Sequence, residues 1–373
     1  MNGMNFFEMT AKSILNTETA AWKNQGKQII GIQCSGIPEE IIHAAGILPM
    51  RVRTLGLQST KNADAHLHRI NCSYTRTMLE LLMSGRLEFL NGFVVANTCD
   101  HHLRLAGEVA DKSKFQFLHY FRPNGTIGSG SKEWLLEEIK KLTSHIEDVF
   151  RVSITKDNLR DTISVYNHTR KLMNRLNDLR KNDPPSLSGA EYMNIVLTGM
   201  SIPRETFNKK LEMLLLELQE RRLPNDHKPR LLIIGGACDA SEFINFIESK
   251  GAYIVADGMC FGLRHYMGII DESAEDPQEA IADRYISRFP CPAIVDGFDR
   301  SYKMLREIID EMQVQGIVCA RLKFCDHYAG TRSLLADQLR QDQSVPVIEL
   351  EREYNTIRSG QLSTRIQAFL ELL

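Results

Sequence analysis

The sequence predicts an α/β fold: two Rossmann/flavodoxin-like domains with parallel sheets, joined by a helical segment. Three observations carry this expectation. Short apolar runs alternate with amphipathic stretches in the first 120 residues and again from about residue 230. Residues 131–181 are helix-rich and lack strand signals. Pro224-Asn225-Asp226-His227-Lys228-Pro229 then reads as a linker ahead of the second alternating block. The expected domains are 1–150 (N-terminal α/β), 151–228 (helical connector) and 229–373 (C-terminal α/β). A chain of 373 residues is too long for one ordinary core and suits two.

Residues 5–26 read as an amphipathic helix, followed by a strand at 28–32 and a helix near Pro38. Pro38-Glu39-Glu40 makes a good first turn, because proline fits N1 and carboxylates favour the positive helix end. A strand near 48–53, a helix near 73–84, a strand at 92–96, a helix near 101–111 and a strand at 115–119 complete the first alternation. Asp183-Pro184-Pro185 breaks the middle helical stretch, which resumes between Gly189 and Arg222. In the second block strands lie near 230–234, 252–256, 316–322 and 345–349. Helices are expected near 239–249, 277–287, 299–314, 329–341 and 361–372. Short apolar strands separated by helices imply parallel sheets covered on both faces.

The composition is that of a globular protein, 43% apolar and 25% charged with a net charge of −2. So even a balance offers no electrostatic case for nucleic acid or an anionic membrane surface. No apolar run approaches the roughly eighteen residues a membrane span needs. The first residues, Met1-Asn2-Gly3-Met4-Asn5-Phe6-Phe7-Glu8, lack a basic segment followed by an apolar stretch, so no secretory signal is expected. The expected compartment is the cytoplasm, where thiols stay free for metal or redox work.

Six of the eight cysteines occupy turn or helix-start positions. Cys34 follows the strand at 28–32, Cys99 follows Phe93-Val94-Val95-Ala96, and Cys325 ends the run 316–324. Cys260 comes just after Tyr253-Ile254-Val255-Ala256, while Cys72 and Cys291 sit in Asn71-Cys72-Ser73-Tyr74 and Pro290-Cys291-Pro292. Ligands of open parallel sheets bind beyond the carboxyl ends of the strands, so thiols gathered there can meet although distant in sequence. That arrangement points to a metal centre, of which iron–sulfur clusters are the commonest thiolate-held kind of that size. A lone cysteine reads most simply as a small buried hydrophobe. Cys319, inside a strand, fits that reading, and Cys238 could pack under the next helix.

Other motifs are weaker. Gly125-Thr126-Ile127-Gly128-Ser129-Gly130-Ser131-Lys132 looks like a phosphate loop but lacks the Gly-Lys-Ser/Thr order, and reads as a flexible loop before a helix. Gly235-Gly236 fails the dinucleotide fingerprint, so neither ATP nor NAD is expected to bind this chain itself. His102, near Cys99, and His327, near Cys325, are candidate proton donors, with surface or helix-capping roles as the plain alternative.

Several segments resemble the benzoyl-CoA reductase and 2-hydroxyacyl-CoA dehydratase superfamily. They are Cys34-Ser35-Gly36-Ile37-Pro38-Glu39-Glu40-Ile41-Ile42-His43-Ala44-Ala45-Gly46, Asn71-Cys72-Ser73-Tyr74, Asn97-Thr98-Cys99-Asp100, Phe324-Cys325-Asp326-His327-Tyr328 and the ending 360–371. The resemblance implies that Cys72, Cys99 and Cys325 hold a 4Fe–4S cluster with one iron open to a small ligand or substrate. It also implies an oxidoreductase fed by a separate ATP-hydrolysing 4Fe–4S activator. Cys34, Cys260 and Cys291 match positions of the double-cubane reductase branch, where six cysteines of one subunit, here a homodimer by expectation, hold two joined cubanes. The alternative is a subunit of an acyl-CoA dehydratase or benzoyl-CoA reductase with one 4Fe–4S cluster per chain, paired with a different homologous subunit. Gly262-Leu263-Arg264 departs from the Thr-Gly common after the residue matching Cys260.

Overall fold

The computed structural model describes residues 3–373 except 56, 58, 225, 343–344 and 356–358, so one residue of the expected linker, Asn225, lies outside the described residues. The chain opens with α1 (Gly3–Ala11) and α2 (Thr17–Asn24), then β1 (Ile29–Ile32), α3 (Glu39–Ala44) and β2 (Leu48–Arg51). It continues through α4 (Ser73–Met83), β3 (Gly92–Ala96), α5 (Asp100–Lys112) and β4 (Phe117–Phe121). Helices α6 (Ser131–Phe150), α7 (Lys156–Lys181), α8 (Gly189–Gly199) and α9 (Arg204–Leu218) follow. The second alternation runs β5 (Arg230–Gly235), α10 (Ser241–Glu248), β6 (Tyr253–Asp257), α11 (Leu263–Tyr266), α12 (Pro277–Ser287) and α13 (Phe298–Glu311). It ends with β7 (Gly316–Leu322), α14 (Asp326–Gln341), β8 (Val347–Arg352) and α15 (Gly360–Leu370).

The two four-stranded sheets are wholly parallel and share one strand order, β2-β1-β3-β4 and β6-β5-β7-β8. In each, the order reverses beside the first strand, between β1 and β3 and between β5 and β7. Such switch points open a crevice at the carboxyl ends of the strands. Every residue of β1, β2, β3, β5 and β6 is buried, as expected for strands covered on both faces. One apolar core runs from Met50, Met78 and Val95 through Tyr192 and Val196 of α8 to Ile233 and Val318. The helical layer therefore fastens both sheets along a common face. Each such side chain contributes about 1.5–3 kcal/mol by leaving water.

The outer face of the first sheet is closed by a helix from the far end of the chain. Ile281 and Tyr285 of α12 pack in one cluster with Ile32, Ile41 and Ile139. Tyr285 Oη donates to the Ile37 carbonyl at 3.2 Å, and Arg288 Nη1 to the Ser35 carbonyl at 2.7 Å. The segment after α12, which carries Cys291, is thereby held against the loop that carries Cys34.

Several boundaries differ from the sequence expectation for local reasons. The helix expected at 5–26 is two helices, because the Asn16 side chain accepts from the Thr19 amide and starts α2 afresh. The stretch 131–181 is likewise divided. Arg151 takes φ 55° after α6, and Thr155 and Asn158 form a capping box that opens α7. Pro38 stands at the N-cap rather than N1 of α3, with Glu39 and Glu40 in the first turn. Strands β4 and β8 each lie about two residues later than expected, and the one-turn helix α11 was not foreseen.

Candidate metal centre

Six of the eight cysteines, Cys34, Cys72, Cys99, Cys260, Cys291 and Cys325, line one cavity of about 510 Å³. No disulfide joins any of them among the described residues. Cys34 lies two residues past β1, where the Gly36 amide donates to its Sγ at 3.3 Å. Cys72 and Cys99 occupy the N-cap positions of α4 and α5, and Cys325 directly precedes α14. Helix starts leave backbone N–H groups unpaired and lower the cost of a nearby thiolate. The Cys72 Sγ and Thr75 Oγ1 are 3.1 Å apart, and the Cys72 amide donates to His101 Nδ1 at 3.2 Å.

Cys260 sits in a loop wrapped round the buried Asp257 at the end of β6. The Asp257 Oδ1 accepts from the Met259 and Leu263 amides at 3.2 and 2.8 Å. A Cβ on Gly262 would lie 1.9 Å from that oxygen, so only glycine fits there. This loop explains the Gly262-Leu263-Arg264 departure: it delivers Cys260 and Arg264 to the same cavity wall. Gly235, with φ 153°, similarly lets β5 end against the Ala320 carbonyl, 2.0 Å from where its Cβ would stand. Gly236 then lines the cavity, where a Cβ would stand 3.3 Å from the Leu322 side chain.

The thiols interact in two sets. Burial pushes the Cys99 and Cys325 thiols up to about 12, and each is also raised by Cys72 and Cys291 nearby. Burial raises Cys72 too, against hydrogen bonds from Thr75. Burial also raises Cys260, opposed by Arg51 and Arg264 and reinforced by Cys34 and Cys291. Cys72, Cys99 and Cys325 thus form one set, Cys34 and Cys260 belong to the other, and Cys291 touches both. Cys238 and Cys319 are away from the cavity: both are 1% exposed and packed in apolar cores.

The histidines divide. Thr98 Oγ1 and His102 Nδ1 are 2.5 Å apart, and the His102 ring packs edge-on against Tyr74. Burial and then Arg51 push its imidazole down to about 3, so its ring is neutral at neutral pH. It can donate one hydrogen bond but is no strong acid. His327 lines the cavity two residues from Cys325, and His101 is lowered by burial against the pull of Asp326 and Asp100. Sequence reasoning did not single out Arg51, Arg264 and Arg288, which complete the wall. Arg51 could have been found, since it ends a parallel strand as Cys34 nearly does.

Among the described residues no group of three or more His, Cys, Asp or Glu side chains could hold one metal ion. The six thiols line the cavity instead, and in a 4Fe–4S cubane each thiolate binds a different iron. A multi-iron centre therefore fits this soft donor set better than a single ion would. The buried Nε and Nη1 of Arg51 and the Nε of Arg264 have no partner, as donors facing an anionic group would.

Comparison with known proteins covers nearly the whole chain. A putative dehydratase subunit, YjiM, of Escherichia coli strain K12 is 28% identical over 365 residues, covering 94% of this chain and 93% of that one. A subunit of the benzoyl-CoA reductase of Thauera aromatica is 27% identical, covering 93% and 90%. The beta subunit of (R)-2-hydroxyglutaryl-CoA dehydratase of Acidaminococcus fermentans is 21% identical, covering 96% and 95%. The family model described as 2-hydroxyglutaryl-CoA dehydratase, D-component, matches residues 34–373. Because that match spans every cysteine of the cavity, this chain belongs to the 2-hydroxyglutaryl-CoA dehydratase D-component family.

Proposed function

We propose that this chain is the iron–sulfur catalytic component of a low-potential reductase of small molecules, driven by a separate ATP-hydrolysing activator. In this reading Cys72, Cys99 and Cys325 ligate one cubane, and Cys34, Cys260 and Cys291 a second one joined to it. The observation that carries it is the convergence of six cysteines on one cavity, with Cys238 and Cys319 left in apolar cores. Such a centre, when bound, supplies electrons at low potential. The chain's own groups hold and screen it. Six thiols provide the anchors, the Gly36 amide donates to the Cys34 sulfur, and Leu322 and Phe289 contribute apolar wall. Neutral His102 and the nearby His327 are the candidates for moving a proton at substrate placed over the Cys99 and Cys325 side. ATP chemistry belongs to the partner because neither glycine segment carries a nucleotide fingerprint. We place the centre in the cleft between units 1–150 and 229–373 of a cytoplasmic homodimer.

Iron and acid-labile sulfide analysis after anaerobic purification tests this. About eight irons per chain supports two cubanes, and fewer than one rejects every cluster reading. A second reading draws on the relatives, which are subunits of a benzoyl-CoA reductase and of acyl-CoA dehydratases. It makes this chain one subunit of such an enzyme, with one 4Fe–4S cluster and a different homologous subunit. Purification of the native complex separates the two: about four irons per chain and an unlike homologous subunit would favour the second.

A further inference from the structure

The cavity is electrically lopsided. Its carboxylates are Asp100 and Asp326, each next to a cysteine of the Cys72, Cys99 and Cys325 set. Its three guanidiniums, Arg51, Arg264 and Arg288, have their thiol neighbours in Cys34, Cys260 and Cys291, although Arg51 also acts on His102 and Arg264 reaches Tyr328 Oη. Once ionised, Cys34 and Cys260 would be attracted by Arg51, Cys260 and Cys291 by Arg264, and Cys34 and Cys291 by Arg288. Each thiol of that set therefore faces two of the three cations. None of the three pairs with a carboxylate among the described residues; buried Arg170, Arg180 and Arg204 pair with Glu40, Asp257 and Glu39, while buried Arg53, Arg230 and Arg352 donate to backbone carbonyls instead.

What holds these cations is aromatic and backbone structure. The guanidinium of Arg51 lies 4.5 Å from the Phe261 ring centre, that of Arg264 5.0 Å from Phe289, and that of Arg288 4.6 Å from Tyr285. Arg264 Nη2 also donates to the Gly258 carbonyl at 2.8 Å, and Arg288 Nη1 to the Ser35 carbonyl. Ring faces and carbonyls orient a cation without cancelling its charge. Arg51 and Arg264 are 2% and 4% exposed, so water does not cancel it either. A buried, uncompensated cation costs several kcal/mol. Two buried cations and the half-buried Arg288 around three thiols suit an anion in the space between.

We propose that Arg51, Arg264 and Arg288 are positioning residues for the Cys34, Cys260 and Cys291 half of the iron–sulfur centre: they neutralise its anionic core and raise its reduction potential. The inference rests on the two-cubane reading above and deepens it. Nearby positive charge favours the reduced, more negative state of a cluster, and charge is one of the levers that set its potential. Electrons arriving in the cavity would therefore settle on the arginine side.

The test compares wild type with Arg51→Met, Arg51→Lys, Arg288→Met and Arg288→Lys, each purified anaerobically and reconstituted with iron and sulfide. Iron content, the midpoint potential by dye-mediated titration, and the melting temperature of the metal-free chain are read for each. The Met variants are expected to fall from about eight irons toward about four, or to keep them at a more negative potential, with the Lys variants between. Removing an uncompensated cation should also raise the melting temperature of the metal-free Met variants. A merely structural arginine would lower it. Half-buried Arg288 carries the comparison if Arg51→Met does not fold. Met variants with wild-type iron and an unchanged potential overturn the proposal alone. A wild type holding about four irons or fewer overturns it together with the two-cubane reading.

Discussion

Among single residues, the Cys99 and Cys325 thiols are protonated before any iron arrives. Cys99 and Cys325 are pushed up to about 12 from an ordinary 9.0, by burial first and neighbouring thiols next. Iron must displace those protons, so each unit of falling pH should weaken loading by about tenfold per proton displaced. Iron uptake followed by absorbance across a pH series, with proton release measured in two buffers, checks this. For the metal-free fold the sign is opposite. A raised thiol stabilises it below about pH 9, and that contribution is lost as pH climbs through about 12. Serine at Cys99 or Cys325 should remove most visible charge-transfer absorption, because an alkoxide is a poor substitute for a soft thiolate. Alanine at Cys319, buried in β7 away from the cavity, should leave iron content at the wild-type level.

One level up, helix α3 is joined to the helical layer by buried charge. Glu39 Oε2 accepts from Arg204 Nη2 of α9 at 2.5 Å and lies 3.5 Å from His265 Nε2 of α11. Glu40 pairs with Arg170 of α7 and accepts from Tyr285 Oη of α12 at 3.1 Å. Burial would raise the Glu39 carboxyl, but His265 and Arg204 outweigh it and hold it at about 2. Its stabilising contribution is present above the ordinary 4.5 and is lost as pH falls through about 2. Glu39→Gln leaves Arg204 buried without its counter-charge and should cost about 3–5 kcal/mol. Thermal melts of variant and wild type at neutral pH would show a drop of that size. Equal melting temperatures would mean the pair is replaceable.

Across the molecule, the cavity draws Cys34, Cys72 and Cys99 from the first alternating block and Cys260, Cys291 and Cys325 from the second. A centre bound to all six would stabilise the closed cleft by linkage, since the unfolded chain cannot gather the thiolates. Stripping it with oxygen or chelator should loosen the cleft before either sheet unfolds. Hydrogen exchange is expected to rise in the loops after residues 32, 96 and 256 and near 325. The buried strands β1, β3 and β5 should stay protected. Uniform protection in the loaded and stripped proteins would count against a bridging centre.

The elements and the positions of the cavity cysteines were legible in short stretches of the chain. Apolar runs such as Leu231-Leu232-Ile233-Ile234 read as buried strands, and their alternation with helices implies parallel sheets. The six cysteines stood out because each sits at a turn or helix start, a local property that short segments display. Helix breaks at Asn16 and Arg151 were less visible, since one cap or one φ of 55° interrupts a pattern that periodicity alone would continue. Which thiols and charges share space was settled by packing between distant segments. The seating of α12 on the first sheet brings Cys291 into the same cavity as Cys34, though 257 positions separate them in the numbering. The same packing sets Arg51, Arg264 and Arg288 around those thiols. No local pattern marks an arginine that lacks a carboxylate, because the absence of a partner is a fact about the whole fold.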